Sequence, residues 1–349
     1  MSSVSSDIRG GLFPPSDVEQ FLSKPEPRTL ETLRGLRGDI LVLGAGGKMG
    51  LHLCLMLQRA VAELEQDNRI LAASRFTTLN SIEPYETAGI EVYRGDFQDP
   101  DFVASLPPCP TVFYLVGAKF GTSDNPEILE AINVRLAASL GKAFKDSRIV
   151  AFSTGCVYSY TTPSSGGARE GDALEPPGEY ARSCLGRERE FNRVSSEFGT
   201  PVVLIRLNYA VELRYGVLVD IGQKVLADAP VDLTMGYVNI IWQPDALNQI
   251  IQCLSLASSP AVPINITGPE VLSVESLATQ FGARFGKDVS FTGAPAQTMW
   301  LSNASWSHEK FGLPPTSVSQ MIEWIAQWLE TGGGTHGKPT GFEKRDGKF

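Results

Sequence analysis

The first strongly apolar run, ILVL at 40–43, is broken by the turn GAGGKMG. It is followed at once by LHLCLMLQRAVAEL, where apolar residues recur every three or four positions. A short continuous run, a glycine turn and a helical period predict strand, tight turn and helix. The pattern then repeats. ILAASRF, IEVYRGDF, TVFYLVGA, SRIVAFST and TPVVLIRLN are short runs rich in β-branched and aromatic residues, which predicts five further strands. NPEILEAINVRLAASLGKAFKDS, between the fourth and fifth of the six, predicts one long helix. Strands alternating with helices predict an α/β fold, a Rossmann-type doubly wound parallel sheet over 38–207.

Beyond position 208 the rhythm loosens. YGVLVDIGQKVLADAP predicts a helix, GYVNIIWQPDALNQIIQCL a strand and a helix, and INITGPEVLSVESLATQFGARFG a second such pair. SVSQMIEWIAQWLETGG, with apolar Val318, Ile322, Ile325 and Leu329, predicts a closing amphipathic helix. Residues 208–331 therefore read as a smaller C-terminal α/β substrate-binding region that partly returns to the main sheet. Residues 1–37 read as an irregular leader with two short helices, one capped by Ser16 and one begun near Thr29. Residues 332–349, GGGTHGKPTGFEKRDGKF, are rich in glycine and lysine with little to bury. They predict a flexible tail or a partner-dependent arm.

Composition narrows the function classes. A net charge of -9 excludes a broad basic face, so no nucleic-acid partner is expected. No run of 18 or more apolar residues occurs and the N-terminus lacks a signal-peptide pattern, so no membrane contact and a cytoplasmic location are expected. Five scattered cysteines read as reduced, mostly buried thiols. With three histidines (His52, His308, His336) there is little material for a zinc site or a histidine triad, and no metal is expected.

The chemistry starts in the glycine turn. Gly44, Gly47 and Gly50 stand three apart between a strand and a helix. The first allows a sharp turn, the second close approach of the backbone to a pyrophosphate, and the third tight helix–strand packing. This predicts dinucleotide binding. At the end of the second strand, where an acid would hold ribose hydroxyls, the chain reads Ser74-Arg75-Phe76. A hydroxyl beside a guanidinium suits a 2′-phosphate, which favours NADP over NAD, with Lys48 adding charge.

In order, GAGGKMG, GDFQD, VFYLVGA, AINV, FSTGCVY and EYARSC resemble the motifs of the extended short-chain dehydrogenase/reductase superfamily, the NAD-dependent epimerase/dehydratase group. LIRLNYA, NIIWQPDAL and NITGPEVLSV resemble its later landmarks, so the resemblance spans about 38–330. It implies a cofactor site of Gly44, Gly46, Gly47, Lys48, Met49 and Gly50, with Ser74, Arg75, Asp96 and Phe97 at the adenosine end. Val116, Gly117, Ala118, Asn133, Phe152 and Tyr180 would line the rest, Asp96 holding the adenine amine and Asn133 bracing the site. It implies catalysis by Tyr180 and Thr154, substrate contacts from Asn208, and a homodimer built on the 131–144 helix and the tyrosine helix. The substrate implied is a small molecule, a sugar or polyol derivative. Arg214 is a candidate for a diphosphate.

The departures are specific. Four residues after Tyr180 the family has a lysine, and this chain has Cys184; the family's "VYG" glycine is Ser159. A phenol needs a nearby cation to work at neutral pH. Losing a shift of two to three units is worth about 3–4 kcal/mol, a rate loss of roughly a hundredfold or more. Lys119, in the loop after the fourth strand, and Arg187, two helical turns past Tyr180, are candidate replacements; a solvated loop lysine is the plainer reading of Lys119. Cys184 reads either as a nucleophile or as a small apolar filler of the lysine's space, and Cys156 as core packing. Glu170, Asp172, Glu175 and Glu179 read as a solvated rim or, alternatively, as a contact for a polyol. Trp242, Trp300 and Trp306 read as core or interface packing rather than a sugar-stacking surface. Two functions stay open: an NAD(P)-dependent oxidoreductase, epimerase or dehydratase, or a catalytically impaired NAD(P)-binding sensor.

Overall fold

A computed structural model describes residues 15, 17–77, 81–119 and 125–345. Seven parallel strands form the central sheet: β1 (Ile40–Leu43), β2 (Ile70–Ser74), β3 (Glu91–Arg94), β4 (Thr111–Tyr114), β5 (Arg148–Thr154), β6 (Val202–Leu207) and β7 (Val262–Ile266). Their spatial order is β7-β6-β5-β4-β1-β2-β3. Leu43 at the end of β1 pairs with Ala73 on one side and Tyr114 on the other. The order reverses across β1 and β4, and a doubly wound sheet opens a crevice at the carboxyl ends of such strands.

Strand β1 is buried on both faces, and its residues alternate between two cores. Ile40 and Val42 pack with α1 (Gly50–Glu63) and with α5 (Gln243–Gln252). Leu41 and Leu43 pack on the opposite face with α2 (Leu136–Ala143) and α3 (Glu179–Phe198). A third apolar cluster holds the C-terminal region together. It joins α4 (Val217–Leu226), α6 (Val274–Phe285) and α7 (Val318–Glu330). Trp242 and Trp300 are buried there and Trp306 packs on the first core, so the structure gives these rings packing roles.

The long helix expected over 125–147 is three pieces: Pro126–Leu129, a π-helical turn Glu130–Arg135, and α2. The described part of the leader, residues 17–37, holds two short helices docked on the body. Its first helix, Val18–Phe21, is capped by Asp17, which accepts from the Gln20 N–H at 2.9 Å; the expected cap Ser16 lies outside the described residues. The second runs Pro27–Leu33, with Pro27 at the first turn rather than a start at Thr29. Thr29 Oγ1 donates to Asn248 Oδ1 at 2.6 Å on α5.

Glu19 ties the leader to the main body, through His52 Nε2 at 2.6 Å and Arg214 Nη1 at 2.7 Å. Burial raises the Glu19 carboxyl, but its bonds to His52 and Arg214 outweigh that and bring it down to about 2 from 4.5. A carboxylate depressed in the folded state stabilises above its ordinary value and loses that contribution as pH falls toward the folded one. Undocking of the leader is therefore expected between pH 4.5 and 2. Phe21 meets the Trp324 ring at 5.2 Å, so tryptophan emission reports the event; Glu19→Gln should show it already at pH 7.

The tail expected to be flexible is held as far as Arg345. Thr340 donates its N–H and hydroxyl to Asp220 Oδ2 at 2.8 and 2.6 Å, and Phe342 is buried in the C-terminal core. Arg345 stacks 4.4 Å from the Tyr160 ring, and Tyr160 donates to its carbonyl at 2.7 Å. Each of the few anchoring side chains in this glycine-rich stretch finds a prepared partner. Composition alone does not reveal that.

Candidate active site

Two cavities meet at the carboxyl ends of β1 and β4. The larger, about 360 Å³, and the smaller, about 140 Å³, share Gly44, Gly47, Leu115 and Gly117 in their walls. They lie side by side across the glycine turn. Gly44 has φ +83, and a Cβ there would lie 2.8 Å from the Leu115 carbonyl carbon. A Cβ on Gly50 would meet the Ala45 carbonyl oxygen at 2.0 Å, so α1 packs on the turn only through glycine. Gly46 leaves space for Ser74, whose hydroxyl a Cβ would meet at 2.8 Å.

The smaller cavity is lined by Gly46, Ser74, Arg75, Phe76, Asp96, Phe97 and Val116, all but Phe76 among the residues expected in the cofactor site, and Ser74, Arg75, Asp96 and Phe97 among those expected at its adenosine end. Arg75 Nη1 stands 3.9 Å from Asp96, and both side chains are exposed. Positive φ at Phe76 (50°) turns the chain here, with its ring edge-on to Tyr85 at 5.2 Å. Lys48 departs from expectation. Its backbone is in the turn, but its ammonium lies 3.4 Å from the Tyr215 ring centroid, on the wall of the larger cavity. It does not add charge at the adenosine end.

The larger cavity gathers Met49, Ala118, Lys119, Phe152, Thr154, Tyr180, Arg187 and Asn208. Helix α3 brings Tyr180, Cys184 and Arg187 to one face at a spacing of four and three. The Tyr180 phenol and the Cys184 thiol share a hydrogen bond. Burial first, then Cys184 and Cys156, push the phenol well above 10, against a downward pull from Arg187. Cys184 is fully buried among Val157, Tyr158, Ala168 and Leu185, and burial raises its thiol. That setting is a filler's, with no base to make a thiolate. Cys156 is raised the same way.

Arg187 occupies the ground behind the phenol. Its Nη1 donates to the Phe152 carbonyl at 3.0 Å and its Nη2 to Asn133 Oδ1 at 2.6 Å. A Cβ on Gly117 would touch that guanidinium at 2.6 Å, which explains the glycine. Asn133 sits in the π turn, whose extra residue aims it at the loop after β4. Its Oδ1 accepts from the Ala118 N–H at 2.8 Å and its Nδ2 donates to the Ala118 carbonyl at 2.9 Å. A bond from Nδ2 to Ser183 Oγ at 2.8 Å closes the brace onto α3. Lys119, next along that loop, places its ammonium 5.6 Å from the Tyr180 ring centroid. Thr154 Oγ1 accepts from the Cys156 N–H at 3.2 Å, holding the end of β5.

Arg214, expected to meet a diphosphate, is not brought to the cavity. It is engaged by Glu19 and by Glu212 at 3.3 Å. Tyr215, Gln243 and Thr340 line the larger cavity without a sequence signal that singled them out. A buried hub beside the site, Glu188 with Arg206, was likewise missed. Its only trace was Arg206, a lone charge in the apolar run VVLIRL of β6; Glu188 is hidden in the charged run RERE of α3. Among the described residues no group of three or more His, Cys, Asp or Glu could hold a metal, and no helix is long and apolar enough to cross a membrane.

The family model for the NAD dependent epimerase/dehydratase family matches residues 40–211. The resemblance read from the sequence is confirmed over this part of the chain. No curated protein matches it. Among solved structures, UDP-glucuronic acid 4-epimerase from Bacillus cereus with NAD aligns at a TM-score of 0.72 and 18% identity, covering 84% of this chain and 99% of that one. UDP-glucose 4-epimerase from Thermus thermophilus with NAD aligns at 0.69 and 16%, over 84% and 99%. The Thermotoga maritima UDP-glucose 4-epimerase with UDP-glucose aligns at 0.68 and 15%, over 84% and 99%. These likenesses show a shared extended Rossmann fold. The two adjoining cavities share a glycine turn with no side chain in the way, with Ser74 and Asp96 on the wall of one and the Tyr180 phenol and Thr154 on the wall of the other.

Proposed function

We propose that the chain is an NAD(P)-dependent enzyme acting on a sugar or polyol derivative as an epimerase, dehydratase or dehydrogenase. One observation carries this reading: two cavities adjoin across the glycine turn, one lined by Ser74, Arg75 and Asp96 and the other by Tyr180 and Thr154. A nicotinamide bound there supplies a hydride acceptor and donor. Tyr180 exchanges the proton of the substrate hydroxyl, and Thr154 orients its oxygen. Arg187 stands in for the absent lysine as positive charge behind the phenol, and Lys119, whose ammonium burial disfavours, lies beside its ring as a second donor. Asn133 holds the Ala118 backbone so that Lys119 stays in reach.

The Arg75 guanidinium at the adenosine end, steadied by Asp96 and with no acid closing β2, supports a preference for NADP. Affinity for NADPH is expected to exceed that for NADH by about tenfold. Arg75→Ala should remove the difference, as read from cofactor fluorescence. A homodimer through α2 and α3 goes with this reading, and sedimentation velocity tests it.

The deciding experiment incubates the purified protein and cofactor with free and nucleotide-linked sugars, following nicotinamide absorbance and the sugar products by NMR. Turnover establishes the reading. Cofactor binding without turnover, together with a Cys184→Lys variant that gains it, establishes the non-catalytic sensor instead.

A further inference from the structure

The charged residues lining the larger cavity are Lys48, Lys119 and Arg187; no aspartate or glutamate is among its described lining residues. Arg187 is committed to Phe152 and Asn133. The two lysines come from different loops, one from the glycine turn and one from the end of β4, and converge on the side of Tyr180 and Tyr215. Asn208, in the same wall, is 3% exposed, and its amide nitrogen is buried with no hydrogen-bond partner. A buried amide donor left without an acceptor costs about 1–3 kcal/mol. That cost vanishes when an acceptor-rich anion enters.

We propose that Lys48, Lys119 and the Asn208 amide form an anion subsite beside Tyr180 that takes a carboxylate or phosphate carried on the reacting sugar unit. This rests on the enzymatic reading above and narrows its substrate to an acidic sugar. Asp220 and Glu212 also act on Lys48, but each is engaged elsewhere: Asp220 by Thr340, Glu212 by Arg214 and His336. Burial first, then repulsion from Lys119 and Lys338, brings the Lys48 ammonium down to about 7. An arriving anion restores the charge, so binding takes up a proton. Affinity should fall as pH rises above 7, by up to tenfold per unit.

The same anion chemistry has a second source, the cofactor's own pyrophosphate, because Lys48 belongs to the glycine turn. The test separates them. Sodium sulfate is titrated into the full-length protein bound to NADH, at constant ionic strength, with nicotinamide fluorescence as the readout. The wild type should show a saturable response that weakens from pH 7 to 9. Lys48→Met and Lys119→Met should each lose it, while retained NADH binding shows that the variants are folded. No saturable response in the wild type, or one that survives in Lys48→Met, overturns the subsite. A tenfold or greater loss of NADH affinity in Lys48→Met assigns the lysine to the cofactor and overturns it as well. If no sugar is turned over but sulfate behaves as expected, the enzymatic reading and the sugar assignment fail and only the anion site stands. If neutral sugars are turned over and sulfate has no effect, the reverse holds.

Discussion

Tyr180→Phe is expected to lower turnover of whichever sugar the protein accepts by roughly 10²–10⁴-fold, the range for removing a positioned general acid or base. Cofactor affinity should stay within about twofold, because the phenol oxygen is one contact in the wall of the larger cavity. The pH profile is the sharper signature. Burial and the neighbouring thiols hold the phenol well above 10 despite Arg187, so at neutral pH it is almost wholly protonated. A step in which it donates a proton should be flat across pH 7–9. A step in which it must accept one should climb close to tenfold per pH unit over that range, without reaching a plateau. Initial rates measured in both reaction directions check this. A plateau near pH 7 in the accepting direction would mean that another group is the base.

That profile follows from Cys184 standing where the resembled family has a lysine, a departure that the resemblance made visible. The alternation of strands and helices and the glycine turn were legible from the sequence, because each is a local pattern with a local cause. Gly44 and Gly50 show why: the turn leaves no room for a side chain, so the sequence must write glycine there. The destinations of long side chains were not legible. Lys48 looks from its neighbours like a phosphate ligand, yet its four-carbon stem carries the charge to Tyr215. Arg214 looks like a free guanidinium, yet Glu19, nearly two hundred positions away, engages it. The C-terminal arm was misread for the same reason. Its anchors, Thr340, Phe342 and Arg345, are few, and the partners that hold them are set by tertiary structure.

The Glu188–Arg206 pair is the strongest case of such a hidden determinant. Arg206 on β6 donates from Nε and Nη2 to the two Glu188 oxygens at 3.0 and 2.8 Å, a bidentate pair with both side chains almost fully buried. Glu188 also accepts from Ser153 Oγ at 2.5 Å, and Arg206 Nη1 donates to Tyr158 Oη at 2.8 Å and to the Glu170 carbonyl at 3.1 Å. One pair thus ties α3 to β5, to β6 and to the loop ahead of Tyr180. Removing one partner leaves the other charge buried and uncompensated, so Glu188→Ala is expected to cost about 3–5 kcal/mol in a denaturant melt. Replacing both by apolar groups of similar volume, Glu188→Leu with Arg206→Met, should restore most of that loss, because the desolvation of both charges disappears with them. Turnover separates stability from positioning. If the pair sets the pitch of α3 against β5, the double variant regains its melting midpoint but not its kcat, since Tyr180 and Thr154 are then held by packing alone. If kcat returns with stability, the pair is structural and the phenol is positioned by Arg187 and Asn133.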